Sequence, residues 1–295
     1  MKSGIFKRTA LVAALAAVGS VAHAADWSDT ALSERYGTNF CEPYNGCKIG
    51  KHIFNLTHVS GYAYGTNFFS VDLLNSDSKD PAVTTSTPAS TAGAQEAYAV
   101  YRNTVDFSKF TKSPLEFAGV IRSLGATAGF DWNTKNNSYG SKKQMEVVGP
   151  TVMFNVPGFL NLSVLELYET NAAAATPTRY NYKPHAALDL AFGIPFSIGP
   201  AKFSFEGYWD YIAQKGQLEP SFGAAVGNNS GKENHFDGRI MVDASPLLTA
   251  KPKTFQLGFE YEFWKNKFGN LEADASSLGG GTRASTPMVR AEYHF

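Results

Sequence analysis

From Thr30 onward, apolar and polar residues alternate with a period of two over segments of roughly ten residues. The clearest segment is Phe255-Gln256-Leu257-Gly258-Phe259-Glu260-Tyr261-Glu262-Phe263, with Phe255, Leu257, Phe259, Tyr261 and Phe263 on one face. In a second, Ala201, Phe203, Phe205, Gly207, Trp209 and Tyr211 oppose Lys202, Ser204, Glu206, Tyr208 and Asp210. In a third, Phe236, Gly238, Ile240 and Val242 oppose His235, Asp237, Arg239 and Asp243. Side chains of a strand point alternately to its two faces, so each segment predicts a strand with one apolar and one polar face.

Extended along the chain, the pattern predicts twelve strands, at 30–40, 50–64, 66–75, 93–105, 115–133, 142–156, 158–170, 181–194, 199–213, 232–244, 253–265 and 287–295. Segments 30–40, 115–133 and 142–156 alternate poorly, and bulges are expected at Gly119 and at Gly149-Pro150. Short links are expected at Val156-Pro157-Gly158, at 195–198, at 245–252 and as a tight turn near Gly65, with a helical turn in 106–114. Longer polar links fall at 41–49, 76–92, 134–141, 171–180, 214–231 and 266–286. Short and long links alternate, so an up-and-down sheet gathers the short ones on one rim and the long ones on the other. Outer-membrane barrels have that asymmetry.

Composition narrows the choice. Among 295 residues, 14% are aromatic, 18% are charged and 27 are Gly, with 26 basic against 26 acidic side chains. Balanced charge gives no basic footprint for nucleic acid. Several apolar runs of about 20 residues, as a helical membrane protein needs, do not occur.

Residues 1–24 read as a cleaved secretory signal. Lys2, Lys7 and Arg8 precede the apolar run Ala10–Val18, and Ala22-His23-Ala24 forms a small-x-small site with cleavage between Ala24 and Ala25. The run is about half the length that spans a bilayer. Residues 25–295 then form the working domain, with a slight acid excess. Cys41 and Cys47 are the only cysteines, and in an exported chain they are expected to pair and pin a short loop.

A soluble sandwich also alternates. The export signal, aromatic residues toward strand ends (Trp209, Tyr211, Tyr261, Phe263) and a chain that ends in an alternating strand at Phe295 favour a membrane barrel instead. The fold expected is all-β: a twelve-stranded antiparallel up-and-down transmembrane β-barrel, closed so that no backbone edge meets hydrocarbon. Lys or Arg at mid-depth on the lipid face costs about 2–4 kcal/mol. The ionisable faces therefore turn inward, carrying Glu206, Asp210, Asp237, Arg239, Glu260, Glu262, Arg290, Glu292, His185, Asp189 and His294. They either fill the interior with salt bridges or line a channel. In the channel reading, Phe68, Tyr98 and Tyr208 stack on a solute while Asp72, Glu96, Arg102, Glu206 and Asp210 bond its polar edge.

Several stretches resemble the nucleoside-specific (Tsx-type) channel family of the outer membrane, in a divergent proteobacterial branch. They include Trp27-Ser28-Asp29-Thr30, Arg35-Tyr36-Gly37-Thr38, Asn55–Tyr62, Gly65–Asp72, Ala128–Asp131, Val148–Thr151, Gly193–Phe196 and Tyr261–Gly269. The resemblance implies a monomeric twelve-stranded barrel in the outer membrane of a Gram-negative bacterium, with a narrow pore that passes nucleosides or similar small polar solutes without a cofactor. It implies phage or colicin reception for some members. The terminal Phe295 resembles the signal read by the barrel-assembly machinery.

Other functions stand as alternatives. One is a non-conducting surface barrel acting as receptor or adhesin through its long loops. A lipase barrel would use His58 and Ser60, which share a strand face, but the Ser-Asn-Gly continuation of the outer-membrane phospholipase is missing. A rim protease would need a partner pair for His235 and Asp237. Gly279-Gly280-Gly281 lacks the frame of a phosphate loop, Asn75–Asp80 lacks the ligand set for calcium, and His52, His185 and His294 are not at metal spacing, so no metal is expected.

Overall fold

A computed structural model describes residues 25–43, 45–82, 90–111, 115–137, 139–174, 178–219, 229–248, 251–272 and 280–295. The expected signal segment 1–24, the Ala24 side of its cleavage site and most of Gly279-Gly280-Gly281's surroundings at 273–279 lie outside the described residues.

Twelve long strands close into an antiparallel barrel. They are β1 (Trp27–Glu42), β2 (Gly46–Tyr62), β3 (Gly65–Ser76), β4 (Gln95–Asp106), β5 (Ile121–Lys135), β6 (Gln144–Phe154), β7 (Phe159–Asn171), β8 (His185–Ile198), β9 (Ala201–Ile212), β10 (Glu233–Asp243), β11 (Phe255–Lys265) and β12 (Arg283–His294). A two-residue piece, Tyr180–Asn181, pairs with the end of β7. Each strand pairs with its sequence neighbours. Ala31 opposite His294 and Gly37 opposite Met288 join β1 to β12, so the sheet has no free edge. The fold expected from alternation is therefore the fold observed.

Several boundaries differ. The link expected at 41–49 is a tight hairpin tip, because β1 and β2 run on to Glu42 and Gly46, where Cys41 and Cys47 form the expected disulfide. Residues 195–198 belong to β8, which reaches Ile198, and the turn is Gly199-Pro200. β12 begins at Arg283, inside the link expected at 266–286. β5 begins at Ile121, not at 115. Gly119 lies in a turn with positive φ, and the register slips between Ile121 and Ser123. No shift occurs at Gly149-Pro150, since the β6–β7 register is the same on either side of it. The helical turn expected in 106–114 is Ser108–Thr111, and Asp106 accepts the Ser108 N–H at 3.0 Å at its start.

The poor alternation in β1 has a physical cause. The register shift between Gly37 and Phe40 gives β1 one extra residue and reverses the facing of its upper end, and the shift between Phe40 and Glu42 places an extra residue on β2. Below the shifts odd-numbered residues such as Ser33 and Arg35 point inward; above them Phe40 and Glu42 do.

The outer wall is an apolar belt. Leu32, Phe54, Leu73, Phe130, Val164, Phe205, Ile240, Leu257, Phe259 and Val289 are exposed on it, Phe259 at 72%. Trp132, Tyr211 and Tyr261 lie toward the long-link rim, and Trp27, Tyr293 and Phe295 toward the short-link rim. Inside, two apolar clusters stand against the wall: Phe40, Ile49, Ile53 and Met288, and Met145, Val147, Leu165, Leu167 and Ala187. Among the described residues, no helix is long and apolar enough to cross a membrane, which says nothing of strands.

Candidate functional site: the charged lumen

Register places every lumen candidate from the sequence on the inner face. Phe68 lies opposite Arg102, Asp72 opposite Tyr98, and Glu96 opposite Lys135. Glu206, Tyr208 and Asp210 lie opposite Arg239, Asp237 and His235, which in turn face Glu260, Glu262 and Trp264. Arg290 and Glu292 continue the row on β12. Phe68 is 38% exposed, and Asp72, Arg102, Glu206 and Arg239 keep partial access, so the interior retains room for water along this arc.

The candidates divide into separate groups. On β1, β3, β11 and β12, Arg35 bridges Asp72 at 2.7 Å and Glu260 at 3.1 Å, while Arg290 bonds Glu260 and Glu292, both at 2.8 Å. Glu292 continues through His294 to Asp29, each at 2.9 Å. On β4 and β5, Arg102 pairs with Asp131 at 2.6 Å, Tyr98 donates to Asp131 at 2.7 Å, and Lys143 stands 3.9 Å from the same carboxylate. Glu206 pairs with Arg239 at 2.8 Å. Glu96 accepts from Asn133 at 2.5 Å. Phe68 joins none of these groups.

An aromatic niche completes the wall on β9–β11. His235 stacks on Trp264 with centroids 3.9 Å apart, and Tyr208 meets His235 edge-on at 5.2 Å. Asp189 and Asp210 lie directly opposite each other beside it, and Glu262 is 3.8 Å from His235. The Arg102 group on β4 and β5 is near enough to Asp189 on β8 to feel its charge across the lumen.

Above the lumen, the long-link rim is held by buried ion pairs. Glu42 takes Lys51 at 2.5 Å, Lys267 at 3.4 Å and Lys135 at 3.5 Å, and Lys135 also binds Asp80 at 2.7 Å. The β1 register shift is what aims Glu42 into this group. On the other side, Lys215 bonds Glu169 at 3.0 Å and stands 3.6 Å from Glu233, while Glu219 accepts from Tyr139 at 3.1 Å and Asn171 at 2.5 Å. Burial pulls the Lys267 ammonium down, but Glu42 and Glu262 outweigh it and hold it above the ordinary lysine value. Glu169 and Glu233 do the same for Lys215. Burial, then Tyr182 and Glu219, push the Tyr139 phenol up.

Sequence reasoning missed Arg35, Asp131, Trp264 and the rim lysines as site residues. Trp264 sits one step beyond the segment Phe255–Phe263 and continues its polar face, so period-two counting could have found it. The Glu42 group gave no local signal, because its members come from β1, β2, β5 and two links.

The other readings of the chemistry find different surroundings. His58 and Ser60 both face outward, and His58 Nδ1 bonds Thr30 Oγ1 at 2.8 Å, so they do not form a base–nucleophile pair. His235 is occupied by Trp264 and Tyr208. Asn75–Asp80 closes on itself and on the rim, with Ser76 donating to Asp80 at 3.0 Å. Among the described residues, no group of three His, Cys, Asp or Glu side chains is placed to hold a metal ion.

The class defined by this geometry is a closed twelve-stranded antiparallel β-barrel, apolar outside and ionic within. No family model and no curated protein matches the chain. Solved structures do, 47 chains in all. One is the KdgM porin in complex with disordered oligogalacturonate, at TM-score 0.43 and 9% identity over 90% of this chain and 99% of that one. Another is the NanC porin, at TM-score 0.42 and 10% identity over 90% and 98%. A third is the translocator domain of the autotransporter NalP from Neisseria meningitidis, at TM-score 0.40 and 9% identity over 99% and 96%.

Proposed function

We propose that the chain is an outer-membrane channel for passive diffusion of small polar solutes, with nucleosides as the leading candidates. One observation carries the channel reading: the belt of exposed Leu, Phe and Val outside a lumen of carboxylates and guanidinium groups that keep access to water. Hydrocarbon is the solvent that stabilises the first surface, and water with polar solutes the second. Nucleosides suit the wall at Tyr208, His235 and Trp264, where an aromatic group adjoins carboxylates that accept from ribose hydroxyls or exocyclic amines. Binding at such a site must stay weak for the solute to leave. The resemblance to nucleoside channels points the same way.

Planar-bilayer recording tests both levels. The purified, refolded protein should give discrete conductance steps, and adenosine or thymidine should reduce them in a saturable way while a sugar of similar size does not. Steps without nucleoside block would leave the channel and remove the nucleoside. Absence of steps would favour a closed surface barrel whose ordered rim serves as a receptor.

A further inference from the structure

The lumen cations are already matched. Arg35, Arg102, Arg239 and Arg290 each lie within 3.1 Å of a carboxylate, and the rim lysines are paired in the same manner. Three acids on consecutive strands, Asp189 on β8, Asp210 on β9 and Asp237 on β10, make no ion pair with a cation among the described residues.

Two features separate this arc from an ordinary acidic patch. Asp237 is only 8% exposed and bonds no donor, although it faces the lumen directly opposite Tyr208 in register. Next to it, opposite Asp237 on β11, Glu262 keeps a buried carboxylate oxygen, Oε1, with no hydrogen-bond partner. The nearest cations to Asp237, Arg35 and Arg239, are committed to Asp72, Glu260 and Glu206. The carboxyl groups of Asp189 and Asp210 meet each other within hydrogen-bonding reach. Two bare carboxylates hold that geometry only with a proton or a cation between them. Like charges directly opposite on paired strands are destabilising, so the arc is maintained at a cost in stability.

The arc also has aromatic walls. The Tyr208 hydroxyl lies in the field of Asp237, Asp210 and Glu262 together, and the His235–Trp264 stack adjoins it. Carboxylates beside ring faces are the combination that binds ammonium groups, by charge and by the ring quadrupole. A ring or arc of acids in a narrow pore also selects cations over anions.

We infer that Asp189, Asp210 and Asp237, with Tyr208, form a cation-selective constriction that favours small organic cations, ammonium-bearing and flat, over anionic solutes. This rests on the channel reading above but not on nucleosides as the solute. A cation arriving at the arc lies near Asp189 and Asp210 and supplies the charge that Asp237 lacks. It passes on because the carboxylates of β8, β9 and β10 compete for it.

The test is a reversal-potential measurement on the refolded wild-type barrel in a neutral bilayer under a KCl gradient. The expected result is a shift toward the potassium equilibrium potential, with potassium favoured over chloride by at least about threefold. Phenethylammonium should block this current and glucuronate should not. The isosteric triple variant D189N/D210N/D237N should still conduct, lose most of the preference and lose the phenethylammonium block, while D26N at the opposite rim keeps both. A wild-type channel that is unselective or prefers chloride overturns the inference and leaves the channel standing. Wild-type selectivity that persists in the triple variant overturns the assignment to these residues. No conductance from folded protein overturns the channel reading itself, and the inference with it.

Discussion

Lys135 at the end of β5 and Glu42 at the end of β1 sit 3.5 Å apart, although β2, β3 and β4 lie between their strands. The contact crosses the mouth of the barrel, and Lys51 and Lys267 converge on the same carboxylate. All four side chains are less than a tenth exposed. Removing one partner from such a group leaves the others buried without compensation, which typically costs about 3–5 kcal/mol. Glu42→Gln should therefore lower the midpoint of urea unfolding in detergent micelles or liposomes, more than Glu272→Gln in the exposed pairs with Lys265 and Arg283. An unchanged midpoint would mean that the mouth is held by other contacts.

The pH dependence of the mouth follows from Lys267 and Lys215. Both ammonium groups are held above the ordinary lysine value of 10.5 once the neighbouring carboxylates have outweighed burial. A folded-state value raised above the unfolded one contributes stability that is complete below the unfolded value and is lost as pH rises through the folded one. The links at 213–219 and 266–272 should stay resistant to limited proteolysis across neutral and mildly alkaline pH. They should loosen only above about pH 10.5, the lysine range. Loosening near neutrality instead would mean that these two lysines do not hold the links.

The architecture was legible in the sequence where each face met one solvent. The segment Phe255–Phe263 shows this: its odd residues face out, its even residues face in, and the strand is β11. Legibility failed where that correspondence breaks. On β6 and β7 the inner face carries Met145, Val147, Leu165 and Leu167, while Glu146 and Glu166 turn outward. Alternation survives there, but its sign does not tell inside from outside. In β1, one extra residue between Gly37 and Phe40 reverses the facing at Phe40 and Glu42, and nothing local announces it. The lumen candidates were found because they ride on clear strands. Arg35 and the rim lysines were not, because their partners come from distant parts of the chain.

Nucleoside block should depend on the aromatic niche. Stacking of a base on an aromatic side chain is worth about 1–3 kcal/mol by truncation, or roughly 5- to 150-fold in affinity. Trp264→Ala removes the face on which His235 stacks and frees the Glu233 carboxylate that the indole N–H bonds at 3.1 Å. The half-blocking concentration for adenosine should rise about thirtyfold, the middle of that range, with the unblocked conductance unchanged or larger. Phe68→Ala, remote from the niche, should move it little. If the two variants behave alike, binding takes place elsewhere along the wall.

The outer belt makes the last and most general prediction. Phe259 is 72% exposed at the middle of β11, and Ile240 and Val289, its register partners on β10 and β12, are half-exposed as well. Leu247 is 77% exposed, but it lies in the turn Ser245–Leu248 at the short-link rim. Water would treat these two positions alike, since both already face solvent. A bilayer would not. Arginine costs about 2–4 kcal/mol at the midplane of the hydrocarbon and about 0–1 kcal/mol near the interface. Phe259→Arg should therefore destabilise the barrel refolded in liposomes by most of the larger figure, and Leu247→Arg by little. Equal and small effects would place the Phe259 face in water, and an apolar belt in water needs a protein partner instead of lipid.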